Sequence, residues 1–386
     1  MRALVIGAGF SGAVVARQLA EAEWCVDVLE KRAIPGGHCA THLDPQTSIP
    51  IHTFGPHIFH TDSAPVWELV CRYANMHPYL HIVRARAGGE IYPLPITLQT
   101  INQFFRKSFG PTEARAFIED KRVKLSGPPR NFAEQAVSMF GHELYEVFFK
   151  GYTMKQWGRS PEEIPADVLK RLPFRFNYNQ SYYFHRHQGL PKNGYTEVVA
   201  GILMHPRISV HYGVLHAPET PTAGYDHVIF TGPLDEWFGY SFGRLPYRTL
   251  DFENFVVDGD YQGCPVMNYC DADVPFTRIT EHKHFAPWQS YEKSVLSREY
   301  SREATPDDER YYPVQLAEEQ ATLQTYRTAA RESHGVSFVG RLATFRYIDM
   351  DVAISEALEA ARCILRARAD KVPAPTFPHE RILTRW

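Results

Sequence analysis

Three glycines near the start of the chain, Gly7, Gly9 and Gly12, have the spacing that binding a pyrophosphate requires. They sit in Gly7-Ala8-Gly9-Phe10-Ser11-Gly12, behind the short β-prone run Arg2-Ala3-Leu4-Val5-Ile6. A good helix sequence, residues 13–20, follows, and Val26-Asp27-Val28-Leu29 then alternates like a strand and ends in Glu30. Strand, glycine turn, helix, strand and acid in this order predict a dinucleotide-binding βαβ unit. Gly7 permits the tight turn, Gly9 lets backbone N–H groups approach phosphate, and Gly12 lets helix and strand pack closely. The helix N-terminus adds partial positive charge, and Glu30 stands where a carboxylate accepts from ribose hydroxyls.

The elements that must position these groups are legible in outline. Asp62 and Ser63 can start a helix from about Pro65 to Tyr73. Residues 80–94 read as two extended runs around a Gly88-Gly89 turn. Residues 97–170 turn helical, with starts at Asn131-Phe132-Ala133-Glu134 and at Ser160-Pro161-Glu162-Glu163. Residues 183–300 are strand-like, and Val228-Ile229-Phe230 can return to the parallel sheet. Pro313 to Arg331 reads as a helix, and Val336 to Arg341 as a buried strand running into a loop. Asp349-Met350-Asp351 opens a final helix that points its N-terminal dipole inward. The fold class expected is α/β: a Rossmann-like dinucleotide-binding domain with an inserted helical lobe and an antiparallel β-sheet domain. The expected segments are 1–78 and 331–370 for the dinucleotide domain, 79–95 and 246–330 for the sheet, and 96–175 for the helical lobe. Residues 176–245 are a mixed return, and the Pro-rich 371–386 reads as a tail.

At 386 residues the chain exceeds one compact core, and its 44% hydrophobic and 22% charged content suits a globular protein. A net charge of -3 gives no global attraction to nucleic acid or to acidic membranes, so an anion site must be a local cluster. No stretch has the apolar length of a membrane helix, and the run after Arg2 is too short for a signal segment. Six cysteines without a C-x-x-C pair point to free thiols and a cytoplasmic location.

Glu30 is separated by five residues from Gly36-Gly37, which resembles FAD proteins more than NAD dehydrogenases, although an ordinary turn reads the same way. Further motifs extend this to a family. Gly55-Pro56-His57-Ile58-Phe59-His60-Thr61, Gly151-Tyr152-Thr153-Met154-Lys155-Gln156-Trp157-Gly158, Lys170-Arg171-Leu172-Pro173 and Gln188-Gly189-Leu190-Pro191-Lys192-Asn193-Gly194-Tyr195 are long and unusual. With Thr277-Arg278-Ile279-Thr280-Glu281, Tyr311-Tyr312-Pro313 and the run from Gly340 to Asp351, they closely resemble prokaryotic UDP-galactopyranose mutases.

The resemblance implies an isomerase that interconverts UDP-galactopyranose and UDP-galactofuranose. It implies reduced FAD, whose N5 attacks the anomeric carbon as UDP leaves, an external reductant such as NAD(P)H, and a homodimer. The catalytic residues it implies are Arg171 on a mobile loop, Arg278, and His57 on a flavin-facing loop, the two arginines offering guanidinium forks to diphosphate. The cofactor residues are Gly7, Gly9, Phe10, Ser11, Gly12, Glu30, Lys31, Gly37, His38, His57, Ile58, Arg341, Tyr347, Asp349 and Met350. The implied substrate residues are Phe148, Phe149, Tyr152, Thr153, Trp157 and Tyr182 around uracil, with His81 and Asn268. Tyr312 and Tyr347 are the phosphate donors, and Arg248 and Glu299 lie near the sugar. Tyr182 rather than Tyr183 follows from an ungapped count.

Two histidine pairs, His185-x-His187 and His282-x-His284, have metal-like spacing but no third ligand close by, so no metal is expected. The competing reading is an FAD oxidoreductase of the amine-oxidase type, which shares the cofactor domain.

Overall fold

The computed structural model describes the chain except residues 172–173, 218–219, 221, 315–319 and 381–386 and the side chains of residues 170 and 171. Five parallel strands form the central sheet, in the order Ile208–Tyr212, Cys25–Glu30, Arg2–Ile6, His227–Phe230 and Val336–Phe338. Leu4, Val5, Val28, Ile229 and Phe338 are almost wholly buried, as expected of a sheet covered on both faces. The Phe10–Glu21 helix crosses from the first strand to the second and packs against the long C-terminal helix Met350–Ala369. Residues 228–230 do return to this sheet, beside Arg2–Ile6.

The second sheet has seven strands, in the order Tyr312–Pro313, Tyr247–Asp258, Lys293–Glu303, Arg278–Glu281, Val266–Tyr269, Val83–Ala87 and Glu90–Leu94. It is antiparallel except where Val266–Tyr269 runs parallel to Val83–Ala87. That exception joins a hairpin from early in the chain to strands from late in it. The hairpin turns at Gly88 and Gly89, with φ of 57° and 81°, a conformation that glycine adopts without a Cβ penalty.

Helices Leu98–Phe105, Pro111–Lys121, Phe132–Phe140 and Gly151–Trp157 make the helical lobe, around a core that includes Ile101, Ile118, Phe132, Phe140, Leu144, Phe148 and Leu169. Asn131 caps the third of these by accepting from the Glu134 N–H at 2.9 Å, while Glu134 turns to Arg130 rather than completing the box. Ser160 does not start a helix; its N–H binds the Glu163 carboxylate in a turn, and a 3₁₀ segment, Ala166–Arg171, follows. The helix expected from Pro313 is described over Gln320–Glu332.

The end of the chain is not a loose tail as far as residue 380. The Phe338 N–H donates to the Thr376 carbonyl, Ser337 Oγ donates to the Pro375 carbonyl, and Phe377 is buried against Phe338. Three prolines stiffen the segment and Phe377 supplies the apolar anchor, so ordering it costs less than the composition suggests.

Candidate active site

A single large cavity of about 640 Å³ runs from the glycine loop to the helical lobe. Gly7, Gly9, Phe10, Ser11, Glu30, Lys31, Gly37, His38, His57, Ile58, Arg341, Tyr347, Asp349 and Met350 all line it. So do His81, Phe148, Phe149, Tyr152, Tyr182, Asn268, Arg278 and Tyr312.

At one end the walls are backbone. The Phe10–Glu21 helix begins at Gly9 with no side-chain cap and no acid in its first turn, so its N–H groups remain available to an anion. A Cβ on Gly37, at φ of 56°, would lie 3.1 Å from Gly9 Cα, and one on Gly12 would lie 2.0 Å from the Gly7 carbonyl oxygen. Gly12 therefore works beneath the cavity, in helix–strand packing. Glu30 is buried, and its carboxylate accepts from the Ala8 N–H at 2.8 Å and from the Arg32 N–H at 3.0 Å. This glycine cradle, the uncapped helix and the acid at the end of the second strand fit an FAD pyrophosphate and ribose. The C-terminal helix brings a second N-terminus to the cavity through Asp349, Met350 and Ala353.

Glu309 was not among the expected residues, yet it organises the mouth. It binds Lys31 at 3.1 Å, Arg32 at 2.7 Å and His38 Nε2 at 2.9 Å. Its position in a charged run, 278 residues after Lys31, carried no signal in the sequence. Burial lowers the His38 pKa, although Glu309 acts to raise it, and the ring stacks on Tyr311 at 5.2 Å.

At the other end the walls are side chains. Arg278 is paired with buried Glu299 by Nε at 2.8 Å and Nη2 at 2.7 Å. Burial opposes the charge on Arg278, but Glu299 outweighs it and the guanidinium is held above its ordinary pKa. Glu299 therefore takes the fork expected to face phosphate, leaving Nη1 as the nitrogen it does not engage. Tyr152 and Tyr312 are pushed above the ordinary phenol range by burial, so both hydroxyls stay protonated donors. The Arg341 guanidinium lies 4.9 Å from the Tyr312 ring centre and 4.6 Å from that of Tyr347, and its buried Nε has no partner. Two more buried atoms on the lining residues are unpartnered, Asn268 Oδ1 and His81 Nδ1. Burial pushes His81 down to about 3, so its imidazole is neutral.

Several expected contacts fall elsewhere. Thr153 and Trp157 do not line the cavity; Thr153 is buried, and Trp157 packs toward Tyr312 at 6.5 Å from behind. Arg248 does not line the cavity. Its guanidinium binds the carbonyls of Gln156 and Lys155 and Ser301 Oγ, and it closes the C-terminal end of the Gly151–Trp157 helix. Glu299 also lies off the lining, acting through Arg278. The side chain of Arg171 lies outside the described residues. Both Tyr182 and Tyr183 line the cavity, so the ungapped count settled on one of two neighbours. Tyr183 and His60 were missed; their rings stack at 3.6 Å, and His60 Nδ1 meets His185 Nδ1 at 2.7 Å. Of the histidines with metal-like spacing, His284 joins Asp260 and Glu281, but Glu281 already accepts from Tyr261, Gln262 and Ser294, and Lys283 sits 3.1 Å from Asp260.

With this geometry established, comparison with known proteins places the chain. The model of the UDP-galactopyranose mutase family matches residues 147–347, and an NAD(P)-binding Rossmann-like domain model matches residues 5–73. A probable UDP-galactopyranose mutase from Klebsiella pneumoniae is 50% identical over 374 residues, covering 97% of each chain. The chain belongs to the UDP-galactopyranose mutase family. Its cofactor is FAD, which the cradle above fits. A dTDP-fucopyranose mutase from Escherichia coli is 47% identical, over 95% of this chain and 98% of its own. A crystal structure of reduced UDP-galactopyranose mutase superposes with a TM-score of 0.77 at 15% identity, covering 95% of both chains, and shows the shared fold. No helix among the described residues is long and apolar enough to cross a membrane.

Proposed function

We propose that this protein is a flavin-dependent isomerase that interconverts UDP-galactopyranose and UDP-galactofuranose. One observation carries the reading: one cavity joins a dinucleotide cradle to an aromatic pocket, and its lining includes Arg278, Tyr312 and Tyr347. Reduced FAD supplies an electron-rich nucleophile, N5, at the sugar's anomeric carbon.

The chain's own residues bind, orient and donate. Phe148, Phe149, Tyr152 and Tyr182 offer flat apolar walls to a pyrimidine, and Asn268 and His81 offer it unpartnered polar atoms. Arg278, through Nη1, meets the diphosphate with the hydroxyls of Tyr312 and Tyr347, and Arg171, whose side chain lies outside the described residues, is the second cation the family resemblance implies. Charge that builds on the departing diphosphate strengthens these contacts, each contributing about 1.5–3 kcal/mol net. Glu299 holds Arg278 in place and, as the pair is nearly neutral, spares the apo protein a large unpaired charge. His57 lines the flavin side.

An external reductant such as NAD(P)H reduces the flavin, the protein is a cytoplasmic homodimer, and sedimentation would test the dimer. Family membership favours this activity over an amine-oxidase type of oxidation. The Escherichia coli relative supports a second substrate, dTDP-fucopyranose, which keeps a pyrimidine diphosphate but lacks the sugar 6-hydroxyl. The test is direct. Yellow protein reduced with dithionite should convert UDP-galactofuranose to UDP-galactopyranose and do so poorly when oxidised. Parallel assays with the dTDP-fucose pair rank the two sugars; no turnover of either would overturn the reading.

A further inference from the structure

His57 reaches the cavity on a loop whose backbone N–H donates to a second histidine, and a series of hydrogen bonds can be followed from there to a third. At the near end, His57 Nδ1 lies 2.8 Å from the Gly55 carbonyl oxygen. A carbonyl can only accept, so Nδ1 carries the proton and Nε2 is bare. The His57 backbone N–H donates in turn to His52 Nδ1 at 3.1 Å, so His52 carries its proton on Nε2. The His52 backbone N–H points at His282 Nδ1 at 3.4 Å, which leaves the His282 proton on Nε2. His282 Nε2 then donates to Ser297 Oγ at 2.8 Å, and Ser297 Oγ donates to Asn254 Oδ1 at 2.6 Å. Each of these contacts has one possible donor once the backbone groups are fixed, and each ring is left with one tautomer.

We propose that His52 and His282 are positioning residues that fix the backbone of the His57 turn, so that the His57 Nδ1–H meets the Gly55 carbonyl and its bare Nε2 faces the flavin side of the cavity. His57 then offers a hydrogen-bond acceptor to whatever N–H or O–H group stands there, and it cannot act as a proton donor.

Three features support this. Burial lowers the pKa of all three rings, His57 to about 4 and His282 to about 3, with Arg341, His38 and Arg278 adding positive charge beside His57. His52 is held by its neighbours, its ring tilted on Phe285 at 5.0 Å and edge-on to Tyr195 at 5.9 Å. The anchor of the series also belongs to the strand that holds the diphosphate arginine. Ser297 and Glu299 stand two residues apart on Lys293–Glu303 and project from one face of it. A Cβ on Gly55 would lie 3.6 Å from Glu299 Oε2, so the His57 loop passes beside the carboxylate that holds Arg278. One strand thus sets the aim of both groups.

The tautomer part of the proposal stands without the mutase reading; only its effect on turnover rests on it. The test uses FAD-loaded protein labelled with ¹⁵N-histidine, at neutral pH and without substrate. Wild type should show His57 protonated at Nδ1, and His52 and His282 at Nε2. His52→Leu removes the acceptor, so the His57 Nδ1–H signal should broaden or mix with the other tautomer. In mutase assays kcat should fall about ten-fold, as for one lost hydrogen bond, with KM nearly unchanged. His52→Asn places Oδ1 where Nδ1 stood and should restore both readouts. Should His52→Leu fail to fold, Ser297→Ala at the far end is decisive, mixing the His282 tautomers and lowering kcat by a smaller factor. A His57 ring protonated at Nε2 in wild type overturns the proposal. So does a folded His52→Leu protein with an unmixed His57 tautomer, or a Ser297→Ala protein unchanged in both readouts. An inactive wild type with the stated tautomers would count against the mutase reading alone.

Discussion

At the glycine-loop end of the cavity, Gly7, Gly9, Gly12, Glu30 and Gly37 come from one continuous stretch of chain and act through backbone N–H groups, absent side chains and one buried carboxylate. At the pyrimidine end, His81, Phe148, Tyr152, Asn268, Arg278 and Tyr312 come from the hairpin, the helical lobe and the long strands, and act through side-chain tips. The first end depends on what cannot be present, because a methyl group on Gly12 would collide with backbone and one on Gly7 with the Thr231 hydroxyl. The second depends on partners that hold each side chain, as Glu299 holds Arg278. A cradle of the first kind tolerates almost no substitution, whereas a site of the second kind can lose one contact and keep the rest.

The sharpest way to break this contrast is Gly12→Val. With even a Cβ 2.0 Å from the Gly7 carbonyl oxygen, the glycine turn cannot close, and the purified protein should carry almost no flavin absorbance. If it bound FAD normally, the packing argument for that end would fail.

Arg278→Met tests the other end. It strands a buried carboxylate, so chemical denaturation should show a loss of about 3–5 kcal/mol along with most turnover, while FAD stays bound. Adding Glu299→Leu should recover most of the stability and none of the turnover. Recovery of both would move the pair to a purely structural role.

Acid should act on the side-chain end next. His52, His57, His81 and His282 have folded pKa values below the ordinary 6.5, so as pH falls the unfolded chain takes up protons first. The stability contributed by their neutral burial is present in full above pH 6.5. It is lost as pH falls toward about 4 for His57 and about 3 for His81 and His282. The thermal midpoint should therefore drop between pH 7 and pH 5; an equal or higher midpoint at pH 5 would contradict the burial of these rings as neutral groups.

The smallest effect is expected from Arg248→Met. Losing the contacts to the Gln156 and Lys155 carbonyls should cost about 1–2 kcal/mol, with KM for the nucleotide sugar unchanged. A raised KM with unchanged stability would return Arg248 to the sugar.

The sequence by itself determined the features that rest on local rules. Gly88-Gly89 reads as a hairpin turn because only glycine adopts its two positive φ angles cheaply, and Gly7 to Glu30 reads as a βαβ unit because loop, dipole and acid follow in one order. The motifs of the resemblance also found most of the cavity's lining residues. Tertiary structure alone decided which face of each motif looks inward. Thr153 and Trp157 share a helical stretch with Tyr152 yet point away, because helical residues turn by about 100° each. Arg248 and Arg278 are both strand arginines, but one closes a helix and the other faces the cavity. Glu309, the pairing of Glu299 with Arg278 and the contacts of His52 and His282 were invisible for the same reason: a hydrogen bond is set by where two atoms meet, and 278 residues of chain separate Lys31 from Glu309.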